Sequence, residues 1–352
     1  MNELGFSEKT AALIKSECSP NELARVLAEH KERYIVQNSA GVFQAEITGN
    51  MRFAAETRAD FPAVGDWVKI VKMDKQNAVI LELIPRYSML ERQAVGKHGE
   101  AQLIAANIDY AFIVQAVGHD FNLNRLERYL SICYAGKIEP IIVLTKIDLI
   151  DEKQLQELKS QIEKRLPKVP LLLLSNITME GFDGLKKQME AFKTYCFIGS
   201  SGVGKSSVIN CLLENELLET RHISESTQKG RHTTTHRELL VLPNQSIVID
   251  TPGMRELGMT THTEGIEKTY DNIGELAQNC RFADCSHQDE KGCAVTEAVE
   301  NGSLPEDVYE NYLKLKREQE HFSSTVFEKR RKGKEFSKMA KEVVKNRKRN
   351  KF

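Results

Sequence analysis

The segment Gly199-Ser-Ser-Gly-Val-Gly-Lys-Ser206 fits G-x-x-x-x-G-K-[ST] at every fixed position. It follows an apolar stretch, Thr194-Tyr-Cys-Phe-Ile198, and opens a helical one, the context a phosphate-binding loop requires. Gly199, Gly202 and Gly204 let backbone N–H groups approach phosphate oxygens, and a helix N-terminus adds a field that favours anions. Ser200, Ser201, Val203 and Ser207 complete the lining. Lys205 is expected to reach the β- and γ-phosphates, and the Ser206 hydroxyl to hold Mg²⁺.

Thr145-Lys-Ile-Asp148 ends a second apolar stretch, Ile141-Ile-Val-Leu144. A carboxylate at a strand end can accept from the N1–H and exocyclic amine of guanine. Adenine lacks that pair of donors and would leave Asp148 unpaired, which is a basis for discrimination. Lys146 can lie along the base, with Thr145 and Ile147 beside it. A third stretch of four leucines runs into Ser175-Asn176, where a small polar residue could offer a backbone N–H to guanine O6. A fourth ends in Asp250-Thr-Pro-Gly253, with Asp250 expected to contact Mg²⁺ through water and the Gly253 N–H to sense the γ-phosphate.

Between the phosphate loop and Asp250 lies Gly230-Arg-His-Thr-Thr-Thr235. One of its threonines is expected to bind Mg²⁺ when GTP is present, and Thr234 is the choice. The residue after Gly253 is Met254, where many GTPases place a glutamine that orients the attacking water. A thioether cannot do this, so either another residue does or a partner completes the site. His232 has the right chemistry, and is equally readable as a surface or partner-contacting histidine.

Cys280, Cys285, His287 and Cys293 lie within fourteen residues. Three thiolates and an imidazole make a closed tetrahedral set, the usual arrangement of a structural Zn²⁺, with no open position for catalysis. Such an ion would staple a module with little core of its own. Cys18, Cys133, Cys196 and Cys211 are scattered among apolar or helical neighbours and read as buried reduced thiols. An odd total of seven argues against a disulfide framework.

The elements that must position these groups change in texture along the chain. Residues 1–30 read as short helical stretches. From Tyr34 to about Arg86, short strands split by turns suggest a small barrel, with Trp67 in its core. From about Gln102, apolar strands alternate with helices at Leu123–Tyr134 and Glu152–Arg165, the pattern of a parallel sheet covered on both faces. Glu214–Arg237 is polar and aperiodic and reads as a mobile loop. After about Gly265 the chain turns helical and ends in a basic tail. The expected domains are a helical extension at 1–33, a small barrel at 34–95, and an α/β P-loop domain at 96–262 that carries the nucleotide motifs. A helical zinc-binding domain at 263–325 and a tail at 326–352 follow.

Composition excludes some classes. Of 352 residues, 41% are hydrophobic and 28% charged, as in a soluble globular protein. No apolar run approaches the roughly 20 residues that cross a bilayer, and the N-terminus shows no signal peptide, so a cytoplasmic location without membrane contact is expected. The net charge of −1 is unevenly spread: from Lys329 onward twelve basic residues face two acidic ones, which leaves the rest near −11. A basic end on an acidic body suggests a polyanionic partner, or a tail that only aids solubility.

In chain order the motifs run base reader, second base contact, phosphate loop, switch threonines, D-x-P-G, which is a GTPase domain in circular permutation. With a barrel ahead and a Cys/His module behind, the chain resembles the small ribosomal subunit biogenesis GTPases of the RsgA (YjeQ/YloQ) family over residues 34–320. Gly230-Arg-His-Thr-Thr-Thr235, Asp250-Thr-Pro-Gly-Met-Arg-Glu-Leu257 and the C-x4-C-x-H-x5-C module are its most specific parts. The resemblance implies an OB-fold that binds ribosomal RNA, GTP hydrolysis stimulated by the small subunit, and action late in its maturation. Lys205, His232, Thr234 and Asp250 are the residues expected to carry hydrolysis of GTP to GDP, with Mg²⁺ at the nucleotide and one structural Zn²⁺, in a monomer. Thr145 departs from the asparagine many GTPases carry there, which puts some nucleotide affinity in doubt but not guanine selection by Asp148. Two other classes stay open: an RNA-binding module that holds nucleotide with little turnover, and a P-loop ATPase or kinase acting on a small molecule.

Overall fold

The structure is a computed structural model that describes residues 1–15, 18–30, 33–93, 101–220, 238–250 and 264–320. Two compact units divide the chain: Met1–Glu91 with Leu103–Leu257, and Arg92–Gln102 with the chain from Gly258 onward.

The first unit opens with a short helix, α1 (Glu8–Ala11), and five strands: β1 (Leu23–His30), β2 (Arg33–Asn38), β3 (Gly41–Ile47), β4 (Trp67–Lys72) and β5 (Asn77–Leu83). They pair in the order β1-β2-β3-β5-β4, and β4 returns to β1, which closes the barrel. The β3–β5 pair is parallel and the others are antiparallel. A short helix, α2 (Gly49–Ala54), links β3 to β4, and the whole is an OB-fold. Alternation aims Tyr34 and Val36, Phe43, Ala45 and Ile47, and Ala78 and Ile80 inward. Trp67 is buried at one end with Leu4 and Ile84, and the Phe6 ring meets it edge-on at 5.3 Å.

One expectation is corrected here. Residues 23–30 form a strand, so the barrel begins at Leu23 and not at Tyr34. Leu-Ala-Arg-Val-Leu-Ala-Glu-His is rich in helix formers, but pairing with β2 and β4 on its two sides overrides that weak local preference.

A two-stranded ribbon, β6 (Met89–Gln93) and β7 (Ala101–Ala106), precedes the α/β part. Then come β8 (Tyr110–Ala116), α3 (Leu123–Ala135), β9 (Glu139–Thr145), α4 (Glu152–Arg165), β10 (Leu171–Leu173) and α5 (Phe182–Gln188). They are followed by β11 (Thr194–Ile198), α6 (Lys205–Thr220), β12 (Glu238–Val241) and β13 (Ile247–Asp250). The sheet order is β10-β9-β8-β11-β13-β12, parallel except for β12. Continuous apolar strands are buried on both faces, with Phe112 stacked on Tyr195 and tilted against Phe197 in the core. α6 runs seven residues beyond Leu213, so Glu214–Thr220, expected in a loop, is helical. The remainder of that loop, 221–237, lies outside the described residues.

The two sheets of this unit are continuous, because β1 of the barrel pairs with β12 at Ala28↔Glu238. Arg25, fully buried on β1, fastens the junction. Its guanidinium donates to the carbonyls of Leu4, Gly65 (3.2 Å) and Asn107 (3.1 Å) and to Thr194 Oγ1 (2.9 Å). A buried cation without such acceptors would be prohibitively costly, so these four groups fix where the barrel sits on the strand that leads to Gly199.

The second unit holds four helices among its described residues: α7 (Glu264–Thr269), α8 (Asp271–Ala277), α9 (Ala294–Glu300) and α10 (306–320). Its small core gathers Ile266, Tyr270, Ile273, Val295 and Leu315. The basic tail lies outside the described residues.

Candidate nucleotide site and metal centre

Strand order places the nucleotide site. β8, β9 and β10 progress to one side and β11 lies on the other side of β8, so the topology switches between β8 and β11. Ligands of open α/β sheets bind beyond the carboxyl ends of strands at such a point, and the phosphate loop follows β11 there. Its glycines take conformations that side chains avoid, with φ of 147° at Gly199 and 97° at Gly204. A Cβ on Gly199 would overlap the Val114 carbonyl. One on Gly204 would stand 3.0 Å from Asn176 Nδ2 and 3.8 Å from Thr145 Oγ1. The phosphate loop therefore rests directly on the two base-reading loops.

Lys205 Nζ donates to the carbonyls of Gly199 (2.7 Å) and Ser200 (2.6 Å). Burial lowers its pKa to about 8, against the opposing pull of the Asp250 carboxylate. Ser201, Gly202, Ser206 and Ser207 are exposed, open to an incoming ligand, while Val203 is buried beneath them.

The base-reading loop is built to hold its shape. Lys146 is left-handed (φ 60°) and starts a 3-10 turn, Ile147–Leu149, that leaves Ile147 buried and Asp148 exposed. Ser175 Oγ donates to Asp148 Oδ1 at 2.6 Å and accepts from the backbone N–H groups of Ile177 and Thr178. One carboxylate oxygen is thus oriented by a buried hydroxyl. Thr145 is fully buried, and its hydroxyl lies 2.6 Å from the Val203 carbonyl and 3.2 Å from that of Gln115. It ties the base reader to the phosphate loop.

Two residues outside the expected set join the site. Arg125 of α3 donates to Ser200 Oγ at 3.0 Å, a contact that no spacing in the sequence signals. Asn176 places its Oδ1 in a buried position with no hydrogen-bond partner among the described residues. Asp250 ends β13 on the same sheet. His232, Thr234, Gly253 and Met254 lie outside the described residues.

In the second unit the ligand atoms of Cys280, Cys285, His287 and Cys293 all lie within 4.8 Å of one another. Cys280 Sγ stands 3.9 Å from Cys293 Sγ, and the two sulfurs are 3.6 and 3.5 Å from His287 Nδ1. A tetrahedral Zn²⁺, with Zn–S of about 2.3 Å and Zn–N of about 2.0–2.1 Å, has edges of about 3.8 Å between sulfurs and about 3.6 Å from sulfur to nitrogen. The donor set fits that ion. Around it, Tyr309 Oη donates to the His287 carbonyl, and Glu290 accepts from the N–H groups of Ser286 (2.8 Å), Gln288 (3.0 Å) and Asp289 (3.2 Å). Burial lowers the His287 imidazole, which favours the neutral form a metal binds.

A sequence model of the RsgA GTPase family matches residues 83–260. The chain is 40% identical over 322 residues to small ribosomal subunit biogenesis GTPase RsgA 1 of Bacteroides thetaiotaomicron, covering 91% of this chain and 90% of that one. The chain belongs to the RsgA GTPase family. RsgA 2 of Listeria monocytogenes is 45% identical over 295 residues, covering 84% and 82% of the two chains. Among solved structures, YjeQ from Thermotoga maritima aligns with a TM-score of 0.64 at 26% identity, over 85% of this chain and 98% of that one. YloQ, described as a circularly permuted GTPase, aligns with a TM-score of 0.61 at 26% identity, over 85% and 94%. The barrel, the permuted RsgA GTPase domain and the cysteine module therefore stand in the family's order. No helix among the described residues is long and apolar enough to cross a membrane.

Proposed function

We propose that this protein is a cytoplasmic, monomeric GTP-hydrolysing assembly factor that acts late in maturation of the small ribosomal subunit, binds its rRNA, and is stimulated by it. The Thr145–Val203 bond carries the nucleotide half of this reading: it joins the base reader and the phosphate loop into one site beyond β9 and β11. The relatives' names, small ribosomal subunit biogenesis GTPases, support the partner. The barrel supplies a nucleic-acid-binding face of the OB type.

At this site Asp148, oriented by Ser175, accepts from guanine N1–H and the exocyclic amine, while Lys146 lies along the base. The N–H groups of Gly199–Ser207 cradle the phosphates, and Lys205 leaves its two carbonyls to neutralise β- and γ-oxygens. Ser206 and Asp250, with Thr234, would hold Mg²⁺, which supplies charge neutralisation on the phosphates when bound. The Gly253 N–H reads the γ-phosphate. Met254 cannot orient water, so either His232 does so, or turnover of the isolated protein is slow until a group from the subunit completes the site. Zn²⁺ on Cys280, Cys285, His287 and Cys293 has a structural role only.

Steady-state GTP hydrolysis by the protein alone, with small subunits and with large subunits tests the reading. Stimulation by small subunits alone is expected. Bound GTP with no stimulation by either would replace it with a nucleotide-gated RNA binder.

A further inference from the structure

Thr145 stands where an asparagine amide would reach the imidazole edge of guanine. Its single hydroxyl proton is used within the protein, toward the Val203 carbonyl at 2.6 Å. Asp148 reads the N1–H and amine, and being an acceptor it cannot serve N7. A purine on this site therefore needs a donor from elsewhere for N7, or leaves that acceptor desolvated at a cost comparable to a lost hydrogen bond.

The neighbouring loop holds a candidate. Asn176 follows Ser175, the residue that orients Asp148, so it lies beside the base-reading carboxylate. Its Nδ2 stands 3.0 Å from where a Gly204 Cβ would be, the same point that Thr145 Oγ1 approaches to 3.8 Å. The amide thus lies against Gly204 of the phosphate loop, on the side that Thr145 also approaches. It is also unsatisfied: Oδ1 is buried with no partner among the described residues. Buried side-chain amides without partners are rare in folded proteins, and each asks for an explanation such as an incoming ligand. A half-turn about χ2 exchanges the amide nitrogen and oxygen, so either can face the base.

We infer that the Asn176 side chain is a further purine-binding residue: its amide donates to guanine N7 and takes over the contact that Thr145 cannot make. This rests on the guanine reading of Asp148. It explains why this chain tolerates threonine at 145, since the tether to Val203 and the base contact are divided between two side chains. Asp148 then sets guanine against adenine, and Asn176 adds affinity for either purine's imidazole edge.

The test compares equilibrium binding of GTP, 7-deaza-GTP (N7 replaced by C–H) and ATP to the full-length protein and to Asn176→Ala. One neutral hydrogen bond corresponds to about three- to tenfold in affinity. The wild-type protein is expected to bind GTP tighter than 7-deaza-GTP by that factor. In Asn176→Ala the ratio should fall to near one, because GTP weakens and 7-deaza-GTP does not. Asn176→Asp, close to isosteric and without a donor, should show the same collapse, and it preserves the test if the alanine variant is unstable. An unchanged GTP to 7-deaza-GTP ratio in both variants, with GTP still preferred over ATP, would overturn this assignment alone. Equal binding of GTP and ATP by the wild-type protein would overturn the guanine reading and this assignment together.

Discussion

In the phosphate loop, backbone does the positioning: glycines at φ 147°, 80° and 97° expose N–H groups, and Lys205 bends onto the loop's own carbonyls. In the cysteine cluster, side chains do it: four ligand atoms converge within 4.8 Å, and His287 adopts φ 62° to reach its place. The first site is open and borrows its rigidity from a buried parallel sheet. The second has all four corners of a tetrahedron supplied by the chain and sits in a unit with a small core. Each construction suits a different kind of ligand. An open loop binds a ligand that arrives and leaves as a product, whereas a closed tetrahedron keeps its ion as part of the fold.

The comparison is broken most completely at the metal. A structural Zn²⁺ adds about 10–16 kcal/mol of apparent folding free energy in small zinc modules, comparable to a whole domain's net stability of about 5–15 kcal/mol. Cys285→Ser is therefore expected to release the ion and unfold the second unit, with GTP affinity unchanged. Metal content, limited proteolysis and nucleotide binding on the same sample read this. Loss of GTP binding along with the metal would show that the two sites are not independent.

At the phosphate loop the fold should survive and the chemistry should not. Lys205→Ala removes a half-buried cation placed to meet the phosphates, so single-turnover GTP hydrolysis should fall on the order of 100-fold or more. Thermal unfolding should be unchanged or slightly raised, because burial of that charge is unfavourable in the free protein. Asp148→Asn should act on selection instead, with a loss of GTP affinity of about 10- to 150-fold for a charged hydrogen-bonding pair and a gain for xanthosine triphosphate. Unchanged base preference would remove Asp148 from the site.

Legibility in the sequence followed the same division. Both ligand sets were readable because they are local: the phosphate loop and the cysteine cluster each lie within fourteen residues or fewer. Apolar strands such as Thr194–Ile198 and helices such as Glu152–Arg165 appeared within their observed bounds, since burial on both faces or on one stripe leaves a periodic trace. What depended on distant partners was not readable. β1 looked helical because its strand state comes from β2 and β4. Nothing local marks Arg25 as buried, because its acceptors lie at Leu4, Gly65, Asn107 and Thr194. Arg125 meets Ser200 across a separation of 75 residues that no motif encodes.

A pH series sharpens the account of the open site. Lys205 has a folded pKa of about 8, below its ordinary value, so the cost of holding it charged is present below pH 8 and is relieved as pH rises and the amine loses its proton. Phosphate binds the protonated amine, so binding runs the other way. GTP affinity should fall between pH 8 and 9, by up to tenfold per unit, with net proton uptake on binding measurable by calorimetry in buffers of different ionisation enthalpy. Lys205→Arg, which stays charged, should flatten the profile. A wild-type affinity constant across that window would mean that Lys205 is protonated throughout.

The finest cut separates the tether from the chemistry. Thr145 makes no charged contact, and its hydroxyl serves to hold the base-reading loop on the phosphate loop through Val203. Thr145→Val keeps the shape and deletes that bond, leaving the buried Val203 carbonyl without its partner, which costs about 1–3 kcal/mol. Thr145→Ser keeps the bond. If the tether sets the distance between base reader and phosphate loop, Thr145→Val should weaken GTP about five- to tenfold while leaving guanosine alone and pyrophosphate alone nearly unaffected, because only a ligand that spans both loops feels their spacing. Thr145→Ser should restore GTP binding. Equal weakening of all three ligands would assign Thr145 a local packing role within its own loop, and the two loops would then be held in register by Gly204 against Asn176 instead.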